Sequence, residues 1–217
     1  MADHPPESKY PRLPTDTDNG LLLIISGPSG VGKTTITRGV ERSIRGSAFS
    51  VSCTTREKTE ADVEGLDYHF IDHDEFQELI DKDLFLEWAD VFGKRYGTRH
   101  KWVDEQLARG RLVILEIDVE GAKQVKAKMP DAYGLFILPP SEEELLRRLK
   151  NRKRESDELI AKRFAEAQHE IREAKSCDVY DTFIINEELD AAIQEAIMYV
   201  KTARIARGQS HDDHTPS

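Results

Sequence analysis

Cysteine, positive charge and long apolar runs are all scarce in this sequence, and each shortage excludes a class of protein. The two cysteines, Cys53 and Cys177, are too few for the disulfide framework of a small secreted scaffold. No apolar run approaches the ~20 residues that cross a bilayer, and the chain does not open with a basic segment followed by an apolar one. We therefore expect a cytoplasmic protein with no membrane partner.

Lysine and arginine number 31 against 41 aspartates and glutamates, which gives a net charge of −10. A nucleic-acid duplex requires a broad basic face, so this deficit predicts no nucleic-acid partner. Basic residues are dense in one segment, where a solvated helix face competes with a role in binding phosphates. That segment holds Arg147, Arg148, Lys150, Arg152, Lys153 and Arg154.

The chain does contain a complete phosphate-binding motif, GxxxxGK[ST], directly after an apolar strand at 21–26. Its glycines keep side chains away from a phosphate, while backbone amides and the positive end of the next helix attract it. Lys33 adds a charge that reaches the β and γ phosphates, and the Thr34 hydroxyl suits Mg²⁺. The motif predicts ATP binding, with Mg²⁺ as cofactor, by Gly27, Pro28, Ser29, Gly30, Val31, Gly32, Lys33 and Thr34.

Strand and helix patterns alternate along the chain, which predicts an α/β fold of three layers around a parallel sheet. From residue 49 to residue 70 the pattern changes to short alternating stretches, which indicate a small, mostly extended inserted subdomain. Short helices are predicted at 74–80 and 104–108, each with an acidic first turn. Buried strands are predicted at 21–26, 112–118, 135–138 and 182–185, and a closing helix at 191–207.

The polar ends, residues 1–19 and 208–217, are expected to be flexible. Ser141 and Glu144 form a capping box that starts the helix with the basic segment, where Arg148 and Arg152 should share a face. Asp118 ends the strand at 112–118. Beside a phosphate loop, a carboxylate in that position holds Mg²⁺ directly or through water.

Several separated motifs, in one order, resemble the guanylate kinases, which transfer a phosphoryl group from ATP to GMP. The resemblance covers roughly residues 20–207 and implies a P-loop fold with a GMP-binding subdomain at 51–101 and a helical lid at 142–165. The core is then formed by 20–50, 102–141 and 166–207. The motifs are GPSGVGKT (27–34), SVSCTTR (50–56), GLDYHF (65–70), FLEWADVFGKRYGT (85–98), LEIDVEGA (115–122), LPPS (138–141), the arginine-rich segment and IINEEL (184–189).

The resemblance also implies the residues of the acceptor site. Glu87 matches the carboxylate that accepts from N1–H and the exocyclic amine of guanine, a donor pair that adenine lacks. Glu116 has a supporting part near the metal or its water. The base pocket is completed by Ser52, Thr98 and Asp118, and the acceptor phosphate is held by Arg56, Tyr68 and Tyr96, for which ordinary packing of the tyrosines is the alternative.

On the donor side, the resemblance implies that Lys33 and three lid arginines neutralise the transferred charge. Those arginines are Arg148, Arg152 and Arg163. Asn186 either borders the adenine side of the donor site or is a turn residue that starts the last helix. Mg²⁺ is expected at Thr34 and, through water, at Asp118.

This chain departs from the family pattern after Arg56. Family members commonly have a second arginine three residues later, where this chain has Thr59, and a glutamate where it has Asp62. One arginine fewer predicts a weaker hold on the phosphate of GMP and a raised KM, with Lys58 as a partial substitute.

Two other functions remain open on these residues. A guanylate-kinase-like interaction module would bind a phosphopeptide or protein partner, but such modules usually lose the phosphate loop that is intact here. A kinase of another small phosphorylated acceptor would fit the altered segment after Arg56, although Glu87 and Thr98 favour guanine.

Overall fold

The computed structural model describes residues 20–91, 93–151 and 156–212, the last five of these by their backbone alone. Strands and helices alternate through most of these ranges. In chain order they are β1 (Leu21–Ser26), α1 (Lys33–Ser43), β2 (Ser47–Phe49), β3 (Cys53–Thr54), β4 (His69–Phe70), α2 (His73–Asp81), β5 (Phe85–Val91), β6 (Lys94–Arg99), α3 (His100–Leu107), β7 (Leu112–Glu116), α4 (Val119–Lys128), β8 (Tyr133–Leu138), α5 (Glu142–Lys150), α6 (Asp157–Ser176), β9 (Thr182–Ile185) and α7 (Leu189–Asp212).

The main sheet has five parallel strands in the order β2-β7-β1-β8-β9. All six residues of β1 are buried, and alternate residues of this strand enter two separate apolar clusters. Leu21, Leu23 and Ile25 pack with α1 and α7, whereas Leu22 and Ile24 pack with residues of α3, α4 and α6. A parallel sheet covered on both faces confirms the predicted three-layer α/β fold.

The inserted unit forms a second, mixed sheet in the order β4-β3-β6-β5. Its own small core contains Cys53, Phe76 and Phe85, and the two phenylalanine rings are 4.6 Å apart between centroids. The predicted extended subdomain is therefore present. Strand β2 at 47–49 was not predicted. It is a short edge strand that pairs with β7 of the main sheet.

Two predicted boundaries are wrong. Helix α3 begins at His100, not at residue 104, and has no acidic residue in its first turn. It follows β6 without a loop, because β6 ends at Arg99. The His100 amide donates to the Leu84 carbonyl at 3.0 Å. Helix α7 continues to Asp212, so the predicted flexible tail from residue 208 begins inside a helix; residues 1–19 and 213–217 lie outside the described ranges.

Helices α5 and α6 pack against each other through Leu145, Leu149, Ile160 and Ala167. Ser141 caps α5 as predicted, because its hydroxyl accepts from the Glu144 amide at 3.2 Å. Helix α5 ends at Lys150, so the expected shared helix face with Arg152 falls on a residue that the structure does not describe. Among the helices that are described, none has the length and hydropathy of a membrane span.

Candidate active site

The phosphate loop runs from the buried end of β1 to the first turn of α1. Gly30 and Gly32 have φ angles of 85° and 100°, in the left-handed region that favours glycine. The Lys33 ammonium donates to the Gly27 and Pro28 carbonyls, at 3.2 Å for Pro28. A cavity of about 290 Å³ adjoins the loop and is lined by Gly30, Gly32, Lys33 and Thr34, among others. The loop thus has the backbone geometry of a phosphate site.

Glu116 is the carboxylate that meets the loop. It is the last residue of β7, level with Ile25 of β1, and its Oε1 accepts from the Thr34 hydroxyl at 2.8 Å. Hydroxyl and carboxylate oxygens are preferred ligands of Mg²⁺, so this pair fits a divalent ion beside a bound phosphate.

Asp118 does not have the position that the sequence predicted for it. Strand β7 ends at Glu116, and Asp118 is the N-cap of α4, where its Oδ1 accepts from the Gly121 amide at 2.7 Å. A capping carboxylate is committed to the helix end. The prediction of a strand that ends at Asp118 is therefore wrong, and the geometry favours Glu116 as the acidic residue for the metal.

A second cleft lies between the two sheets and has a volume of about 260 Å³. Lys33 lines this cleft too, so the phosphate loop opens into it. Six of the predicted acceptor residues lie along its wall, namely Ser52, Tyr68, Glu87, Tyr96, Glu116 and Asp118.

The carboxylate of Glu87 is buried in this cleft, since the whole residue is only 4% exposed. The Thr98 hydroxyl donates to its Oε1 at 2.6 Å. Burial raises the pKa of Glu87 to about 7, and the nearby Asp118 charge acts in the same direction, whereas the bond from Thr98 lowers it. A ligand with two N–H donors would supply what this carboxylate lacks.

Arg56 lies beside Tyr68, with its guanidinium carbon 5.2 Å from the ring centroid, and the Tyr68 and Tyr96 rings are 5.6 Å apart. The guanidinium forms a bidentate pair with Asp62, at 3.0 and 2.8 Å. The Thr59 amide and hydroxyl also donate to Asp62, at 2.8 and 2.6 Å. These bonds hold the pKa of the Asp62 carboxyl well below its usual range. The charge of Arg56 is thus balanced before any phosphate arrives.

The arginines that were predicted for the lid differ from one another in their surroundings. Arg148 donates to Glu144 at 2.7 Å and to the carbonyls of Val31 and Asn186 at 3.4 and 3.0 Å, so it lies against the phosphate loop. Arg147 pairs with Glu144 and faces solvent, with 64% of its side chain exposed. Arg163 lies half-buried on α6, and Arg152 lies outside the described residues, as does Arg154.

Asn186 lies against the phosphate loop and binds its backbone. It is 4% exposed, and its Nδ2 donates to the Val31 carbonyl at 2.7 Å. A Cβ at Gly32 would be 2.6 Å from that nitrogen, which shows how closely the two segments approach. It is not the turn residue that starts α7, which begins at Leu189, and its contact with ATP stays a prediction.

Comparisons with known proteins agree with this geometry. The sequence profile described as guanylate kinase matches residues 19–203. The guanylate kinase of Carboxydothermus hydrogenoformans is 46% identical over 176 residues, 81% of this chain and 85% of that protein. The crystal structure of guanylate kinase from Anaplasma phagocytophilum matches with a TM-score of 0.68 at 30% identity, over 85% of this chain and 86% of that one. The chain belongs to the guanylate kinase family.

It is accordingly an enzyme, a nucleoside-monophosphate kinase. The guanylate kinase of Escherichia coli strain K12 is also similar, at 40% identity over 197 residues that cover 90% of this chain and 94% of that protein. The profile match at residues 19–203 includes the phosphate loop, both sheets, α5 and α6.

The sequence analysis missed Glu170, which lies on α6 and lines the cleft of this kinase with Lys33 and Asp118. Burial raises the pKa of Glu170 to about 7, an effect that the charge of Lys33 partly offsets. A signal was available, because Glu170 falls three residues after the buried Ala167 and four before the buried Ala174. An acidic residue in a buried helical stripe indicates an inward-facing polar group.

Proposed function

We propose that this guanylate kinase binds ATP on the phosphate loop and GMP in the cleft of Glu87, and that it works in the cytoplasm. The observation that carries the proposal is the buried Glu87 carboxylate, which shares one cleft with the Lys33 ammonium. The two thiols in the described residues, Cys53 and Cys177, are both free, in keeping with a reducing compartment.

Guanine recognition follows from the desolvation of Glu87. Burial of a carboxylate is costly, and guanine offers N1–H and an exocyclic amine that compensate it. Adenine presents an acceptor at N1, which would face the carboxylate without a proton. A site built around such hydrogen bonds discriminates by ~10⁴ or more, because the wrong base leaves buried polar groups unpaired.

On the donor side, the loop amides and Lys33 would hold the β and γ phosphates of ATP. In the structure Lys33 donates to loop carbonyls, so its side chain would change rotamer to reach a phosphate. Thr34 and Glu116 would hold Mg²⁺, which when bound neutralises charge on the donor phosphates. Asp118, which caps α4, would instead contribute to the wall of the base pocket, together with Ser52.

Arg56, Tyr68 and Tyr96 would hold the phosphate of GMP. Because Asp62 already balances the Arg56 charge, we propose a weaker phosphate grip than a site with a second arginine at position 59 would have. Arg148 would brace the loop and approach the transferred phosphoryl group when the lid closes, with Arg152 and Arg163 as further lid cations. No general base is required, since the acceptor phosphate is ionised at neutral pH.

The test compares GMP, dGMP, AMP and UMP as acceptors in a coupled assay of ADP release, with wild type and Glu87→Gln. We expect the wild type to use GMP and dGMP, and Glu87→Gln to lose about 100-fold or more in kcat/KM for GMP, since an amide offers guanine one acceptor in place of two. Glu105→Gln, on α3, is the matched control and should leave kcat/KM for GMP and for dGMP unchanged. Equal use of GMP and AMP by the wild type would contradict the assignment of Glu87.

A further inference from the structure

A third cavity, of about 590 Å³, lies outside the donor and acceptor clefts. It is bounded by the end of β2 and by α3 on the side of the main sheet, and by β4 and the end of β6 on the side of the second sheet. Its volume is more than twice the 260 Å³ of the acceptor cleft. The side chains that give it chemical character are Phe49, His69, Arg99, Lys101, Trp102 and Glu105.

This cavity faces away from the acceptor site. His69 directly follows Tyr68, which lines the acceptor cleft, and Arg99 directly follows Thr98, which bonds to Glu87. Successive side chains of extended backbone point to opposite faces. The second sheet therefore has GMP residues on one face and this cavity on the other.

The lining combines flat apolar walls with basic groups at the mouth. Phe49 and Trp102 are half-buried aromatic walls, and Arg99 and Lys101 are exposed beside them. Arg99 is held in place, since its Nε donates to the Cys53 sulfur at 3.2 Å and its Nη2 lies 3.4 Å from Glu75. Arg99 and Lys101 thus place two guanidinium or ammonium groups at the mouth, each beside one carboxylate.

Glu105 is the acidic residue of the lining, and it lies 3.9 Å from the Lys101 ammonium. This pair is weak, because 83% of the Lys101 side chain is exposed. An anion that enters the mouth can therefore take Lys101 from Glu105 at little cost. His69, on the side of the second sheet, pairs with Glu64 at 3.3 Å.

We propose that this cavity is a second binding site of the kinase, for a planar aromatic anion. The ring of the ligand stacks against Trp102 and Phe49, and its anionic group pairs with Arg99 and Lys101. The volume is in the range of small-molecule sites, which are mostly apolar with a few placed polar groups. The inference goes beyond the proposed function, because these residues have no part in the transfer from ATP to GMP.

The test uses 1-anilinonaphthalene-8-sulfonate as the probe and the full chain with Trp88→Phe, which leaves Trp102 as the single tryptophan. Binding is followed by energy transfer from Trp102 to the probe. N-phenyl-1-naphthylamine, which has the same rings without the sulfonate, is the uncharged comparison. We expect the sulfonate to bind at least about tenfold more tightly at low salt, since two basic groups face it.

Charge variants at the mouth complete the test. Lys101→Glu should weaken the sulfonate probe about tenfold and Glu105→Gln should strengthen it about threefold, whereas Lys201→Glu on the exposed face of α7 should leave it unchanged. The proposal is overturned if both probes bind equally, if Lys101→Glu and Lys201→Glu act alike, or if Trp102 shows no energy transfer. Circular dichroism confirms that each variant is folded, and kinase activity with GMP reports separately on the proposed function.

Discussion

The donor loop and the acceptor cleft satisfy their charged groups in different ways. Lys33 donates to carbonyls of its own loop, and Thr34 donates to Glu116, so the donor half is a closed set of bonds that phosphates can replace one by one. Across the cleft, the buried Glu87 carboxylate accepts from the Thr98 hydroxyl. The charged groups of the donor half are thus paired within the protein, whereas we expect the buried Glu87 carboxylate to gain further bonds from guanine.

Arg56, a cation of the acceptor half, also differs from the charged groups of the donor loop. Its guanidinium is bound by Asp62, which also accepts two bonds from Thr59. We expect a phosphate in the acceptor site to share Arg56 with Asp62, whereas a phosphate on the donor loop would meet backbone amides. Changes in the donor half should therefore affect the rate, and changes in the acceptor half should affect affinity and stability.

The largest effect is expected from Lys33→Ala. Removal of the charge that neutralises the β and γ phosphates should lower kcat by about 10³-fold or more. Binding of GMP, measured by calorimetry, should change by less than about twofold, since the acceptor half keeps its contacts. Lys201→Ala on α7 is the control for loss of a lysine. A near-normal kcat in Lys33→Ala would contradict the role of the loop.

Arg148→Gln is expected to have the next largest effect. Arg148 bonds to the carbonyls of Val31 and Asn186 and so joins the lid to the loop. Its loss should lower kcat by about 10²-fold, in the lower range of effects for a phosphate-facing arginine. Arg147→Gln, one residue earlier on the same helix and exposed to solvent, should retain activity within about twofold. Equal losses in the two variants would remove Arg148 from the site.

The two halves also differ in how much of them the sequence predicts. The donor loop is eight contiguous residues, and the predicted turn from strand to helix is present because it is a local structure. Which of Glu116 and Asp118 lies beside the loop, where a carboxylate would hold Mg²⁺, could not be predicted from local sequence. It depends on where β7 ends and on the bond from the Gly121 amide that makes Asp118 a helix cap.

The predicted acceptor residues come from five separate segments, and they were inferred from the family resemblance, not from a local pattern. Their hydrogen-bond partners could not be predicted, since the pairing of Arg56 with Asp62 depends on the path of the loop between β3 and β4. Glu170 was missed for a similar reason, because the packing of α6 on the core decides which of its faces points inward.

Glu87→Gln should stabilise the acceptor half while it impairs function. Because the pKa of Glu87 is raised to about 7, the folded chain retains a proton that the unfolded chain releases between pH 4.5 and 7. Stability therefore falls as pH rises through this window. Glu87→Gln should be more stable than wild type by about 2–3 kcal/mol at pH 8, and equal to it near pH 4.

Urea unfolding at the two pH values measures this difference, with Glu105→Gln as the control for loss of a carboxylate outside the cleft. A Glu87→Gln variant that is less stable than wild type at pH 8 would mean that the carboxylate is compensated in the empty cleft. The cleft would then be as fully satisfied as the donor loop, and the contrast between the two halves would fail.

The smallest effect is expected from Thr59→Arg. A second guanidinium next to Arg56 gives Asp62 another partner and leaves an excess positive charge for the phosphate of GMP. One charged hydrogen bond contributes about 1.5–3 kcal/mol, so KM for GMP should fall about tenfold while kcat changes little. Thr59→Gln, which lengthens the side chain without charge, should not lower KM. If Thr59→Arg left KM unchanged, the pairing of Arg56 with Asp62 would not limit acceptor binding, and the weaker grip would have to be abandoned.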